Sequence, residues 1–440
     1  MTTGLRRARP ATRRPTRLGG VADLRDPIPS TQERPLPRWP LLAALYGLPF
    51  YWAAGLLPFI YMGLAGVMVL LLLVTGRPRF LPGTGPYFAF LLWVAIAAGS
   101  IGGAGQLIGY MWRMGDLVAV GVFLLYYANA DLRPRDIVQA LVCVWVVVIV
   151  FGLAAMAYPD LRLTTLTGMV LPGSISGNPL VNELVNPRLA EVQEPWGAKE
   201  PYVRPAAPFP YTNSWGTAYV LLTPVVLAAV VLTRRRGARA FLALALLVSV
   251  LPAVATSNRG MFIGLAVVVG YATLRLLLQG RVLTVLTVAG VAGLAAAGLV
   301  WSGAVAQILG RQEHSDSTGT RAEVYRTTLE ETLRSPLVGW GSPRQVEGVE
   351  VALGTQGFVW TLMYSYGFVG LALFLTFLWG AVIRTRYVVG TAEVFLHAVL
   401  VASCVTILFY GLGTTQLLVV ALVCAVLLDG RGLEVHHDEQ

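Results

Sequence analysis

Lysine is nearly absent: of 33 lysines and arginines, only Lys199 is a lysine. Charge of either sign is scarce, at 13% of 440 residues, against about 25% in soluble chains. That excludes a soluble domain of this size. Cysteine is scarce too. Cys143, Cys404 and Cys424 all fall inside apolar runs, which leaves no disulfide or cysteine-metal framework. No glycine loop of the GxxxxGK[ST] kind occurs, so nothing argues for nucleotide phosphates. The basic start "MTTGLRRARPATRRPTRLGG" has no apolar core behind it until about residue 41, which excludes a signal peptide.

Hydrocarbon is what the chain has in quantity. It is 56% hydrophobic with mean hydropathy +0.66, and apolar runs of about 20 residues recur along its length. The runs are continuous rather than alternating, which excludes a β-barrel. The expected fold class is an all-α polytopic membrane protein. About twelve spans are predicted, at roughly 41–57, 58–76, 85–101, 113–130, 137–157, 213–233, 240–256, 261–279, 282–302, 357–379, 390–409 and 415–428. Residues 1–38 read as a disordered basic cytoplasmic tail, 39–430 as a single transmembrane domain, and 431–440 as a short second tail.

The net charge of +10 would suggest nucleic acid in a soluble protein. Here the arginines cluster in short loops between spans, the pattern of topology signals. With the N-terminus inside, Arg77 and Arg79, Arg133 and Arg135, "RRRGAR" at 234–239, Arg275, Arg281, Arg384 and Arg386 all fall in cytoplasmic loops. Both termini are then cytoplasmic. Membrane lipids are expected partners and nucleic acid is not. Arg113, Asp116 and Glu393 fall near the predicted span ends, so the span centres are nearly free of charge. That argues against an ion-coupled pump.

Two segments, about 158–212 and 303–356, are too long for turns and land on the outer face. In the second, the pattern predicts a helix over 320–334. Thr318 or Thr320 would cap it, Ala322, Val324, Tyr325, Leu329 and Leu333 would form its apolar side, and Glu330 would pair with Arg334 at i, i+4. Arg321 falls in its first turn, where a cation is disfavoured unless an anion joins it. The first segment ends with Arg204 and "PFPYTNSWG", which puts Asn213 and Trp215 at the interface. In "TSNRGMFIGL", Arg259 stands beside Asn258 between two apolar runs. A guanidinium binds phosphate through a paired fork of donors and stays charged. Arg204, Arg259 and Arg321 therefore suit a lipid diphosphate at the outer leaflet. The plain alternatives are a snorkelling turn residue for Arg259 and, for Arg326, Arg334 and Arg344 of the same face, ordinary solvated or helix-paired charges. A cavity is expected on the outer side, open to lipid, with Arg259 and Arg321 facing each other across it.

Four stretches together resemble the O-antigen ligase and polysaccharide polymerase superfamily of bacterial inner-membrane proteins. They are "SNRG", "PFPYTNSWGTAYVLLTPV", "DSTGTRAEVYRTTLEETLRSPLVGWG" and "GTQGFVWTLMYSYGFVGLALF", covering about residues 200 to 380. The resemblance implies a GT-C-like membrane glycosyltransferase, a surface polysaccharide ligase or polymerase. Its donor is a glycan on a polyprenyl diphosphate such as undecaprenyl diphosphate, and its acceptor is a glycan or a lipid on the outer face. It implies no metal and no cofactor. Arg259 and Arg321, with Arg204 as a third, would hold the diphosphate, and Asn213 and Asn258 would line the substrate site. The family histidine falls at Gln356, which cannot accept a proton at neutral pH. Either another group of the loop, His314, Asp316, Glu347 or Glu350, serves as base, or positioning supplies the rate, or the chain binds without transferring. The rivals are a lipid-glycan transporter or flippase and a scaffold of a polysaccharide assembly complex. His397, inside a span, reads as a satisfied interior group.

Overall fold

A computed structural model describes residues 36–75, 78–173, 177, 179–194, 201–301, 317–345 and 351–433. All belong to one unit, 35–440, and most are helical. The helices are α1 (Trp39–Tyr46), α2 (Leu48–Ala53), α3 (Leu57–Thr75), α4 (Gly85–Ala97), α5 (Ala104–Asn129), α6 (Pro134–Ala157), α7 (Leu166–Val170) and α8 (Pro179–Val185). A hairpin, β1 (Ala190–Gln193) and β2 (Tyr202–Pro205), follows. Then come α9 (Thr212–Leu232), α10 (Arg236–Val248), α11 (Val250–Ala255), α12 (Arg259–Leu278), α13 (Val282–Trp301), α14 (Ser317–Thr332), α15 (Phe358–Arg384), α16 (Thr391–Thr406) and α17 (Thr414–Leu428).

Among the described residues, seven helical stretches are long and apolar enough to cross a membrane: α3, α5, α6, α9, α10 with α11, α12 and α15. Helix α9 is the hub, packed by α6, α12, α16 and α17. In its span 72% of residues are buried, against 22% in the α10–α11 run. The first is therefore interior, while the second turns Phe241, Leu244, Leu247 and Leu251 outward, as a lipid-facing helix must.

Contacts between helix ends sort the loops into two faces. At one, Arg38 pairs with Asp131 at 2.6 Å and Arg79 with Asp429 at 3.4 Å, Arg281 bonds Thr391, and Arg275 donates to the Val388 carbonyl. This is the basic end. At the other, the Thr167 hydroxyl bonds the Ala54 carbonyl, Arg344 donates to the Ser100 carbonyl, and the Phe358 amide donates to the Tyr410 carbonyl. The described parts of both long segments lie at this second, loop-rich end.

Several expectations are corrected. The first expected span is two short helices parted at Gly47, because Pro49 suits a first helical turn better than a helix interior. The fold is not purely helical: β1 and β2 pair antiparallel, with Glu191 opposite Arg204. Helix α5 begins at Ala104, not at 113, so Arg113 and Asp116 lie inside it rather than near its end. Helix α14 begins at Ser317, one turn earlier than its threonine caps suggest. Arg321 therefore stands beyond its first turn, and the argument from the helix end lapses. Leu329 and Leu333 of its expected apolar side are exposed; Val324, Thr328 and Thr332 are the buried positions. The two threonine hydroxyls bond carbonyls four residues back, so they can be buried without an orphaned donor. Glu330 pairs with Arg326 and Arg334 with Glu331, not with each other.

Helix α15 is broken at Gly367, whose φ of 68° and ψ of −175° belong to glycine alone. The segment "PLVGWG" docks into the break. The amides of Trp340 and Gly341 donate to the Tyr364 and Ser365 carbonyls at 2.9 and 2.8 Å, and the Phe368 amide donates to the Pro336 carbonyl at 2.8 Å. Trp93 Nε1 donates to the Tyr366 carbonyl at 3.0 Å. The backbone groups freed by the break are thus satisfied from elsewhere in the chain. A Cβ on Gly367 would lie 2.1 Å from the Leu337 oxygen. Two of the motifs singled out in the sequence therefore meet physically, and α14 is tethered to the bundle through them.

Candidate functional site

The "SNRG" segment is a built helix start. Ser257 takes φ of 47° and turns the chain. Asn258 caps α12 by accepting from the Met261 amide at 3.3 Å, an interaction of about 1 kcal/mol. Its Nδ2 faces Asn213 Oδ1 at 3.4 Å, an approach that Gly216 permits, since a Cβ there would stand 2.4 Å from that nitrogen. Gly260 leaves room for Tyr410: a Cβ there would meet its hydroxyl at 2.5 Å.

Tyr410 is the residue that sequence reasoning missed. It lies in the turn 407–413 between α16 and α17. These helices have 16 and 15 residues, so at 1.5 Å per residue they reach only about 24 and 22 Å of a roughly 30 Å hydrocarbon core. Both are held at the basic end, α16 through Arg281 and α17 through the Arg79–Asp429 pair, so the shortfall falls at the loop-rich end and the turn is recessed. Tyr410 is 5% exposed. The amides of Gly260 and Met261 face its hydroxyl, and the charges of Arg321 and Arg204 bear on it. Burial nevertheless pushes the hydroxyl up to about 12. At neutral pH it keeps its proton and can only donate it in a hydrogen bond. The available signal was the polar break "FYGLGTTQ" between two apolar runs.

Other elements close on the same turn. The Val359 amide donates to the Ile407 carbonyl and Trp360 Nε1 to the Leu408 carbonyl. Tyr325 of α14 stacks on Trp360 at 4.3 Å between centroids and donates to the Gln356 carbonyl at 2.9 Å. Burial pushes the Tyr325 hydroxyl up, and Arg321, one turn before it, opposes that shift. Helix α14 and the starts of α12 and α15 thus meet the turn of Tyr410: the Arg321 charge bears on Tyr410, Gln356 is held by Tyr325, and Arg259 stands at the head of α12 beside Gly260.

The three expected arginines differ in their company. Arg204 is buried: its Nε donates to the Thr256 carbonyl at 2.8 Å, and Nη1 lies 3.6 Å from Glu191 Oε2. It pins the "SNRG" turn to the hairpin and lends the recess its field from a fixed position. Arg259 and Arg321 are half-buried, and no carboxylate or hydrogen-bond acceptor among the described residues reaches either guanidinium. Asn213 is exposed at the rim. His314, Asp316, Glu347 and Glu350 lie outside the described residues. Among the described residues no group of three or more His, Cys, Asp or Glu could hold a metal ion. His397 is satisfied in the interior, its Nε2 facing the Val382 carbonyl at 2.9 Å and its Nδ1 the Tyr271 hydroxyl.

No protein-family model matches the chain, and no curated protein matches it.

Proposed function

We propose that the chain is a membrane glycosyltransferase, a ligase or polymerase of a surface polysaccharide in a bacterial cytoplasmic membrane. It moves a glycan from a polyprenyl diphosphate to an acceptor hydroxyl on the outer face. The observation that carries the reading is two half-buried arginines of the loop-rich end, Arg259 and Arg321, that lack acceptors among the described residues. A guanidinium without a partner at a membrane recess calls for an anion. A diphosphate fits two such forks.

In the reaction the acceptor oxygen attacks the anomeric carbon of the donor sugar. The bond from that carbon to the phosphate oxygen breaks, and its electron pair leaves with the diphosphate. Arg259 and Arg321 hold that growing negative charge. Arg204 adds its field, and Tyr410 donates its hydroxyl proton in a hydrogen bond. The acceptor proton needs a base, which Gln356 cannot be. His314, Asp316, Glu347 and Glu350 stay candidates. A GT-C-like bundle of about twelve spans, with both termini cytoplasmic, fits the basic end lying inside.

Lipid-linked glycans in a deletion strain, complemented with wild type or Arg321→Ala, test this. Single repeat units accumulating on the lipid mean polymerase; full-length chains mean ligase. Arg321→Ala should fail to rescue either. An unchanged lipid-linked pool sinks the transfer reading. One observation favours a transporter instead: Arg113 and Asp116 lie inside α5, with the Arg113 Nη1 and Asp116 Oδ1 atoms buried and unpartnered among the described residues. Intramembrane ionisable groups commonly mark transport paths. Under that reading Arg113→Ala would abolish function and Arg321→Ala would not.

A further inference from the structure

The hairpin at the loop-rich end carries a second concavity, which shares only Arg204 with the arginines assigned to the diphosphate. A cleft of about 400 Å³ lies between β1 and the start of α9, walled by Arg188, Glu191, Gln193, Arg204, Tyr211 and Asn213. Its size falls within the roughly 300–1,000 Å³ of small-molecule sites. One wall is rigid. Glu191 accepts from the Thr212 amide at 3.0 Å through Oε1 and faces Arg204 through Oε2, so hairpin, helix and arginine are locked together. The opposite side offers Arg188. Its Nη2 pairs with Glu183 at 3.2 Å, while its Nε is buried with no hydrogen-bond partner among the described residues. Asn213 is exposed and brings an amide that both donates and accepts. Tyr211, 43% exposed, brings an aromatic surface.

This mixture selects a ligand class. A bare anion would meet the Glu191 carboxylate, and a bare cation would meet Arg188 and Arg204. A sugar ring suits both, because each hydroxyl donates and accepts at once and its apolar C–H face can lie on a tyrosine ring. The cleft also adjoins the recess, since Asn213 faces Asn258, the neighbour of Arg259. We infer that the cleft is a carbohydrate subsite, which holds a sugar residue of a glycan chain beside the reacting centre. The role of that glycan rests on the transfer reading; its binding does not, and is read separately.

The test uses the full-length protein in nanodiscs and saturation-transfer NMR. The probe is lipid-free oligosaccharide released by mild acid from the native cell-envelope polysaccharide. Sugar protons should saturate on the wild type and equally on Arg321→Ala. Binding should weaken roughly tenfold on Tyr211→Ala, which removes the aromatic surface, and on Arg188→Ala, which removes a charged donor. Arg326→Ala, an exposed helix position, should bind as wild type and controls for folding. No saturation on the wild type overturns the inference, as does saturation that survives both cleft substitutions. So does complete displacement by inorganic phosphate, which would make the cleft an anion site. If Arg321→Ala rescues in cells while the cleft still binds sugar, the transfer reading fails and the subsite stands.

Discussion

The two ends of the bundle use the same residue differently. At the basic end arginines answer to the protein itself: Arg38 to Asp131, Arg79 and Arg431 to Asp429, Arg281 to Thr391, Arg275 to the Val388 carbonyl. Those without partners among the described residues there, such as Arg234, Arg235 and Arg236, are exposed and answered by water. At the loop-rich end Arg259 and Arg321 are half-buried, with neither full solvent nor an acceptor among the described residues. Arg204, beside them, is fully committed to Glu191 and Thr256. An arginine in a membrane protein is thus a poor signal by itself. What separates topology from chemistry is the combination of burial and a missing partner.

The contrast can be broken at several strengths. Arg259→Ala or Arg321→Ala should lower transfer by roughly 10²–10³-fold, the range for removing one preorganised donor from a developing oxyanion. Arg38→Ala should leave transfer within about twofold, since an exposed pair adds little. Equal effects at the two ends, measured on lipid-linked glycan turnover, would erase the distinction. Next in size, Gly367→Ala should destabilise the fold by about 3 kcal/mol, the upper range for strained backbone. The dock of 336–341 would be lost, and a clear fall in the melting temperature of the detergent-solubilised protein reads it. Transfer should fall with it, because α14 carries Arg321. Tyr410→Phe should cost about 1 kcal/mol, one hydrogen bond, and lower turnover several-fold with little change in donor KM. Arg326→Ala, which removes the exposed pair with Glu330, should change neither melting nor turnover.

Much of this was legible in the chain. Apolar runs announced most helices, and the short arginine-bearing loops announced the basic end. Arg259 and Arg321 stood out as charges in awkward surroundings. Elsewhere the reading slipped for identifiable reasons. Helix α5 begins nine residues before its predicted span because Gly102, Gly103 and Gly105 read as a loop, whereas packing carries the helix through Gly105. The β1–β2 hairpin is not legible because its strands, AEVQ and YVRP, are four residues each and sit in a segment rich in proline and asparagine. Tyr410 was missed because an aromatic residue at the end of an apolar run ordinarily reads as an interface anchor.

Hydropathy sums along a segment and needs no knowledge of neighbours. The chain by itself therefore determined that the protein is helical and membrane-embedded, roughly where its helices lie, and that its arginines cluster in loops. A partner is a matter of three-dimensional neighbourhood. Only the tertiary structure decided that Glu191 reaches Arg204, that residues 336–341 fill the break at Gly367, and that Tyr410 lies under the start of α12. Those contacts join residues 13 to 150 positions apart in the chain, and no local period encodes them. Whether an arginine is satisfied or left waiting for a ligand depends on such contacts.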